Sequence, residues 1–145
     1  MGLSIHFTGT FLSPSLTIPL STEVLDICKS LAWESQLIQT AAHNGIVFTP
    51  DLASCLDGIT RDSIIQIAKD LGFEVREKRI TRDEVYSADE AFFTGTAAEV
   101  TPIRELDDRT IGDGKRGPIS QQIQEVFFDT VYGRNDRYRA WLSPI

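Results

Sequence analysis

Two short stretches of this sequence have the composition of backbone that holds an anion. The first is Leu56-Asp57-Gly58-Ile59-Thr60-Arg61. Gly58 lets the chain turn tightly into a helix, whose first N–H groups have no intrahelical acceptor. The macrodipole adds partial positive charge at the same place. A phosphate there would be held by the backbone N–H groups of Ile59 and Thr60, with help from the Thr60 hydroxyl. The plainer alternative is an ordinary capped helix start that meets only water. The second stretch is Phe93-Thr94-Gly95-Thr96-Ala97-Ala98-Glu99. Here a buried strand runs into Gly95, and the small side chains that follow let backbone N–H groups come close to a ligand. Thr96 carries a hydroxyl able to donate to a phosphate oxygen. The N–H groups around Ala97 and Ala98 could form a nest for a carboxylate. The plainer alternative is a tight turn between strands.

Other chemistry-bearing residues are weaker candidates. Gly112-Asp113-Gly114-Lys115 hints at a phosphate loop but lacks the long glycine spacing and the Ser or Thr after lysine, so it reads as an exposed turn. His6 and His43 have no partners at metal-ligand spacing, and no metal site is expected. Asp89 and Glu90 are adjacent before a strand, where neighbours face opposite sides, which disfavours a shared acid–base role. Lys29, Lys69, Lys78 and Lys115 read as solvated. Cys28 and Cys55 are too few and too far apart for a disulfide framework, and read as reduced thiols.

The composition sets limits on function. The chain has 145 residues, 41% hydrophobic and 24% charged, with a net charge of −7. That is the composition of a single globular domain or a piece of a larger one. An acidic surface repels phosphate backbones, so no nucleic-acid partner is expected. No run approaches the roughly 20 apolar residues that span a bilayer, so no membrane attachment is expected either. The first basic residue is Lys29, which leaves no charged region for a secretory signal. His6 stands where a myristoylation motif has Ser or Thr. Cytoplasm is the expected location.

The elements that must position the two loops are best marked after Asn44. Residues 7–20 are rich in Ser, Thr and Pro and read as loop or extended chain. Ser21 or Thr22 could cap a helix with Val24, Cys28, Leu31 and Ile38 on one face, although Glu34 and Ser35 interrupt it. Asn44-Gly45 signals a two-residue hairpin, and Ile46-Val47-Phe48 a strand stopped by Pro50. Residues 58–71 read as a helix with Thr60 as N-cap, Ile64, Ile67, Ala68 and Leu71 on one face, and Gly72 just beyond its end. Residues 73–78 alternate as a strand does, and Thr81-Arg82-Asp83-Glu84 fits a capping box. Ala91-Phe92-Phe93 reads as a buried strand, and residues 99–106 as another that reverses near Asp107-Asp108. Gly117-Pro118 opens a last helix with Ile119, Ile123, Val126, Phe127 and Val131 facing inward and Gly133 at its end. Trp141 and Leu142 are expected to tuck back onto the body.

At this point the sequence shows a resemblance. The segments Cys55-Leu56-Asp57-Gly58-Ile59-Thr60-Arg61-Asp62 and Phe93-Thr94-Gly95-Thr96-Ala97-Ala98-Glu99-Val100-Thr101-Pro102-Ile103 are similar to those of branched-chain amino acid aminotransferases. These are class IV pyridoxal-phosphate (PLP) transaminases. Asn44-Gly45-Ile46-Val47-Phe48-Thr49-Pro50 upstream and Gly112-Asp113-Gly114-Lys115-Arg116-Gly117-Pro118 downstream keep the family's order. Sister families, the D-amino acid transaminases and aminodeoxychorismate lyases, share the fold but usually differ at the Gly-Thr-Ala-Ala-Glu segment.

The resemblance implies an α+β fold: the C-terminal large-domain portion of a class IV aminotransferase, a mixed barrel-like sheet with flanking helices. It covers residues 44–145, behind an unrelated or disrupted leader at residues 1–43. It implies that Leu56 packs on the PLP ring, that Gly58, Ile59 and Thr60 hold its phosphate, and that Thr96 adds a phosphate hydrogen bond. Thr96, Ala97 and Ala98 would receive the substrate carboxylate. The implied reaction moves an amino group from leucine, isoleucine or valine to 2-oxoglutarate. The implied assembly is a homo-oligomer, with self-association expected from exposed apolar surface near Leu56, Phe92 and Phe93. The family's cofactor-tethering lysine is not recognisable. Lys29 has the wrong neighbours, and Glu34 lacks those of the glutamate that meets the pyridine nitrogen. No catalytic residue is therefore assigned. Two readings follow: an aminotransferase portion with its phosphate-binding half intact, inactive as it stands, or a non-catalytic module that binds PLP or another phosphate.

Overall fold

The computed structural model describes residues 6–7, 40–53, 58–95 and 99–142. The expected helix through Val24, Cys28, Leu31 and Ile38 lies outside the described residues, as do Lys29 and Glu34. Seven strands form one mixed sheet. They are β1 (His6–Phe7), β2 (Thr40–His43), β3 (Ile46–Thr49), β4 (Glu74–Glu77), β5 (Glu90–Gly95), β6 (Glu99–Leu106) and β7 (Arg109–Thr110). Among the described residues the helices are α1 (Ile59–Asp70), α2 (Arg82–Tyr86) and α3 (Pro118–Val131), with a 3-10 helix at Asp136–Trp141. The strand order is β1-β6-β5-β2-β3-β4, with β7 beside β6. The fold is α+β, as expected; no pairing among the described residues closes the sheet into a barrel.

Local chemistry explains most of these elements. Asn44 and Gly45 both have positive φ, 53° and 78°, as a two-residue turn between twisted antiparallel strands requires. That turn joins β3 to β2, so the sheet takes in Thr40–His43, upstream of Asn44. Gly72, at φ 86°, ends α1, and its N–H donates to the Lys69 carbonyl while that of Phe73 reaches Ala68. At α2, Thr81 accepts from the Glu84 N–H and the Glu84 side chain accepts from the Thr81 N–H, closing the capping box. Pro118 takes the first position of α3.

The core lies on both faces of the sheet because alternate residues of β5 point opposite ways. Phe92, with Val100, packs under Ile64, Ile67 and Ala68 of α1 and Ile123 of α3. Ala91 and Phe93, with Ile103, pack against Val85, Ala88, Leu106 and Ile111. Phe92 and Phe93 are both buried, so the apolar exposure expected around them is absent. Two helical assignments also change. Gly58, not Thr60, is the N-cap of α1. Val131 is 49% exposed; Thr130 turns inward instead and satisfies its hydroxyl on the Val126 carbonyl. Trp141 and Leu142 remain largely exposed, and the buried side chain of the tail is Tyr138, with the Trp141 ring 4.4 Å from it.

Candidate functional site

Helix α1 starts from a loop that leaves β3 at Thr49. Gly58 sits at φ −102° and ψ 138°, and as a glycine it brings no capping side chain of its own. The first intrahelical bond runs from the Asp62 N–H to the Gly58 carbonyl at 3.0 Å. The N–H groups of Ile59, Thr60 and Arg61 therefore precede the ladder. Ile59 is 88% exposed, an apolar side chain turned to solvent beside those groups, and Thr60 is half-buried.

Leu56, Thr96, Ala97 and Ala98 lie outside the described residues, but the flanks of their loops are in place. Gly95 is paired with Glu99 across β5 and β6, so residues 96–98 connect a hairpin. A Cβ added at Gly95 would meet open space. Glu99 follows at φ 51°, a left-handed conformation that helps reverse the chain.

Strand direction brings the two loops to one edge of the sheet. Both β3 and β5 run antiparallel to β2, hence in the same direction, with β2 between them. Ala41 is level with Phe48 on one side and with Ala91 on the other. Two strand spacings amount to about 10 Å across the sheet, and β5 runs on to Gly95, about another 10 Å past the level of Thr49, so the loops leave the same carboxyl edge at different heights.

Several buried polar side chains that hold these loops escaped the sequence reading. The Arg61 side chain donates from Nη2 to the Pro50 carbonyl at 2.8 Å and to the Glu77 carboxylate at 2.9 Å. Glu90 is buried and accepts from the Ile119 and Ser120 N–H groups at 3.0 and 2.8 Å. It thus caps α3 from a strand far away in sequence. Its neighbour Asp89 accepts from the Asn44 N–H at 2.9 Å, so the adjacent carboxylates are parted, as the alternation of a strand requires. Gln124 donates to the Val100 carbonyl at 2.8 Å and accepts from Arg116 at 2.7 Å. The β6 side of the hairpin is thereby fastened to α3 at Val100. The only signal available in the sequence was a polar residue at a core-facing position, without its partner.

The Gly112-Asp113-Gly114-Lys115 stretch is a turn in which Asp113 accepts from the Lys115 N–H at 3.0 Å. A Cβ at Gly112 would lie 2.0 Å from the Asp89 carbonyl oxygen, so its glycine serves packing. Among the described residues no metal-binding cluster occurs, and no helix is long and apolar enough to cross a membrane.

Residues 39–106 match the family described as Amino-transferase class IV. The chain is 56% identical over 102 residues to the branched-chain-amino-acid aminotransferase of Pseudomonas aeruginosa, a match that takes in 70% of this chain and 33% of that protein. The Salmonella typhimurium enzyme of the same description is 47% identical over 103 residues, with the same two coverages. The chain thus spans about a third of the length of these relatives. Among solved structures, the branched-chain amino acid aminotransferase of Thermobaculum terrenum in its PLP form superposes with a TM-score of 0.71 at 42% identity. That superposition covers 75% of this chain and 36% of the other. By its motifs, its sheet and these similarities together, the chain belongs to the class IV aminotransferases, as a portion similar to the branched-chain amino acid members.

Proposed function

We propose that this chain supplies the phosphate-binding and carboxylate-binding loops of a PLP-dependent branched-chain amino acid aminotransferase. The observation that carries the reading is the start of α1, without a side-chain cap among the described residues, on the same sheet edge as the 95–99 hairpin. The described residues fit an anionic ester: N–H groups ahead of the helical ladder, with partial positive charge from the helix behind them. In this reading Gly58, Ile59 and Thr60 bind the phosphate and Thr96 adds a hydroxyl. Leu56 covers one face of the pyridine ring. Thr96, Ala97 and Ala98 orient the carboxylate of leucine, isoleucine or valine, and of the 2-oxo acid that receives the amino group. When bound, PLP supplies the electron sink for amino transfer, and the protein supplies position. The proposed setting is a cytoplasmic homo-oligomer.

The test is binding of PLP against pyridoxal, which lacks the phosphate. The chain is expected to prefer PLP, and Gly58→Pro and Thr96→Val are each expected to remove that preference. If both variants bind as the parent does, the site assignment is wrong. Borohydride reduction followed by mass analysis reads catalysis separately: an adduct on one lysine together with leucine-dependent turnover would show that the chain is active.

A further inference from the structure

Arg61 is the third residue of α1, and its side chain is only 5% exposed. A cation near the start of a helix opposes the macrodipole, and burying it is costly unless it is paired. The fold therefore gains little from a guanidinium here unless its directed hydrogen bonds are used. They are: Nη2 joins the Pro50 carbonyl to the Glu77 carboxylate. Pro50 is where the chain leaves β3, and Glu77 is the β4 residue paired in register with Thr49. The Lys78 N–H donates to the Thr49 carbonyl at 3.0 Å and secures the same corner. A single side chain thus ties the start of the residue 50–58 loop to the helix at its end. At this corner two buried polar atoms, Arg61 Nε and Thr49 Oγ1, have no hydrogen-bond partner among the described residues. Leaving such groups unsatisfied is destabilising, so this corner is not arranged for stability alone.

We propose that Arg61 is a positioning residue for cofactor binding: by closing the 50–58 loop it sets the aim of the Ile59 and Thr60 N–H groups. This rests on the phosphate reading of the α1 start. Arg61 itself need not touch the phosphate.

The test compares pyridoxamine 5'-phosphate with pyridoxamine, neither of which has an aldehyde to condense with surface lysines. The variants are Arg61→Met, which keeps the stem, and Glu77→Gln, which loosens the anchor at a half-exposed position. Val85→Ala, on the opposite face of the sheet, provides a destabilised control. Arg61→Met is expected to weaken the phosphate ester about tenfold, the scale of one lost charge-assisted hydrogen bond. Pyridoxamine binding and the control should change less than about twofold. The amide shifts of Ile59 and Thr60 on addition of inorganic phosphate should shrink in Arg61→Met and stay full in Val85→Ala. Parent-like binding and shifts in Arg61→Met overturn the proposal. If Arg61→Met does not fold, Glu77→Gln decides: a loss of about threefold supports the proposal and no loss overturns it. A parent chain that does not distinguish the two ligands overturns the phosphate reading, and the role of Arg61 with it. A parent that distinguishes them while the variants match it overturns only the role of Arg61.

Discussion

Helices α1 and α3 start alike in sequence and end up in opposite situations. Each follows a glycine in extended conformation, Gly58 at φ −102° and Gly117 at φ −76°, and neither glycine brings a cap of its own. At α3 the Glu90 carboxylate reaches in from β5 and takes the Ile119 and Ser120 N–H groups. At α1 no side chain among the described residues does the same, and Ile59 points to solvent where Ile119 is half-buried. The protein thus shows with its own carboxylate what a helix start of this kind does with an anion. It closes one start internally; the other is the start proposed to receive a phosphate.

The contrast is broken most severely at the closed start. A Cβ at Gly117 would lie 1.9 Å from Glu90 Cδ. Gly117→Ala should therefore cost about 3 kcal/mol, from overpacking together with lost capping bonds, read as a lower urea midpoint. Gly58→Ala should cost no more than about 1 kcal/mol, the usual penalty for alanine at an N-cap. Glu90→Gln comes next. It leaves two N–H groups facing an amide in place of a carboxylate, and should cost about 2 kcal/mol. Equal losses at Gly58→Ala and Gly117→Ala would erase the distinction between the two starts.

The open start is sharpened by ligand linkage. Inorganic phosphate at ten times its dissociation constant should stabilise the parent chain by about 1.4 kcal/mol. Gly58→Pro should abolish the effect, and Glu90→Gln should retain it. At α2, which closes its own start with the Thr81–Glu84 box, Thr81→Ala should cost about 1 kcal/mol and leave the phosphate response unchanged. The smallest effect lies at the other end of α1, where the Tyr138 hydroxyl donates to Asp70 at 2.7 Å. Burial first, and then this bond to the Asp70 carboxylate, push the Tyr138 hydroxyl up to about 12 from 10.0. The unfolded chain releases that proton first, so stability should hold below pH 10.0 and fall as pH rises toward about 12. Tyr138→Phe should flatten that fall in pH-dependent unfolding.

What could be read from the sequence was local, and what could not was directional. The Asn44-Gly45 turn, the Gly72 helix end, the Thr81–Glu84 box and Pro118 each act within a few residues, and each stands where the residues put it. Thr40-Ala41-Ala42-His43 has little strand character of its own. It becomes a strand because the Asn44-Gly45 turn folds it back onto β3 and β5 pairs with its other side. Glu90 and Arg61 serve partners distant in the chain, so their polarity was visible and their use was not. The two stretches proposed to bind an anion could each be marked as candidates alone. Their meeting at one edge depends on β3 and β5 running the same way around β2, which no local spacing encodes.

The central claim concerns the N–H groups at the start of α1, and amide chemical shifts read them directly. On titration with pyridoxamine 5'-phosphate, the Ile59 and Thr60 amides should move most, downfield, as charge-assisted hydrogen bonds form. The Ile119 and Ser120 amides, already held by Glu90, should stay still. If all four stay still, or if pyridoxamine moves Ile59 and Thr60 as far as its phosphate ester does, no phosphate is bound at this helix and the account fails.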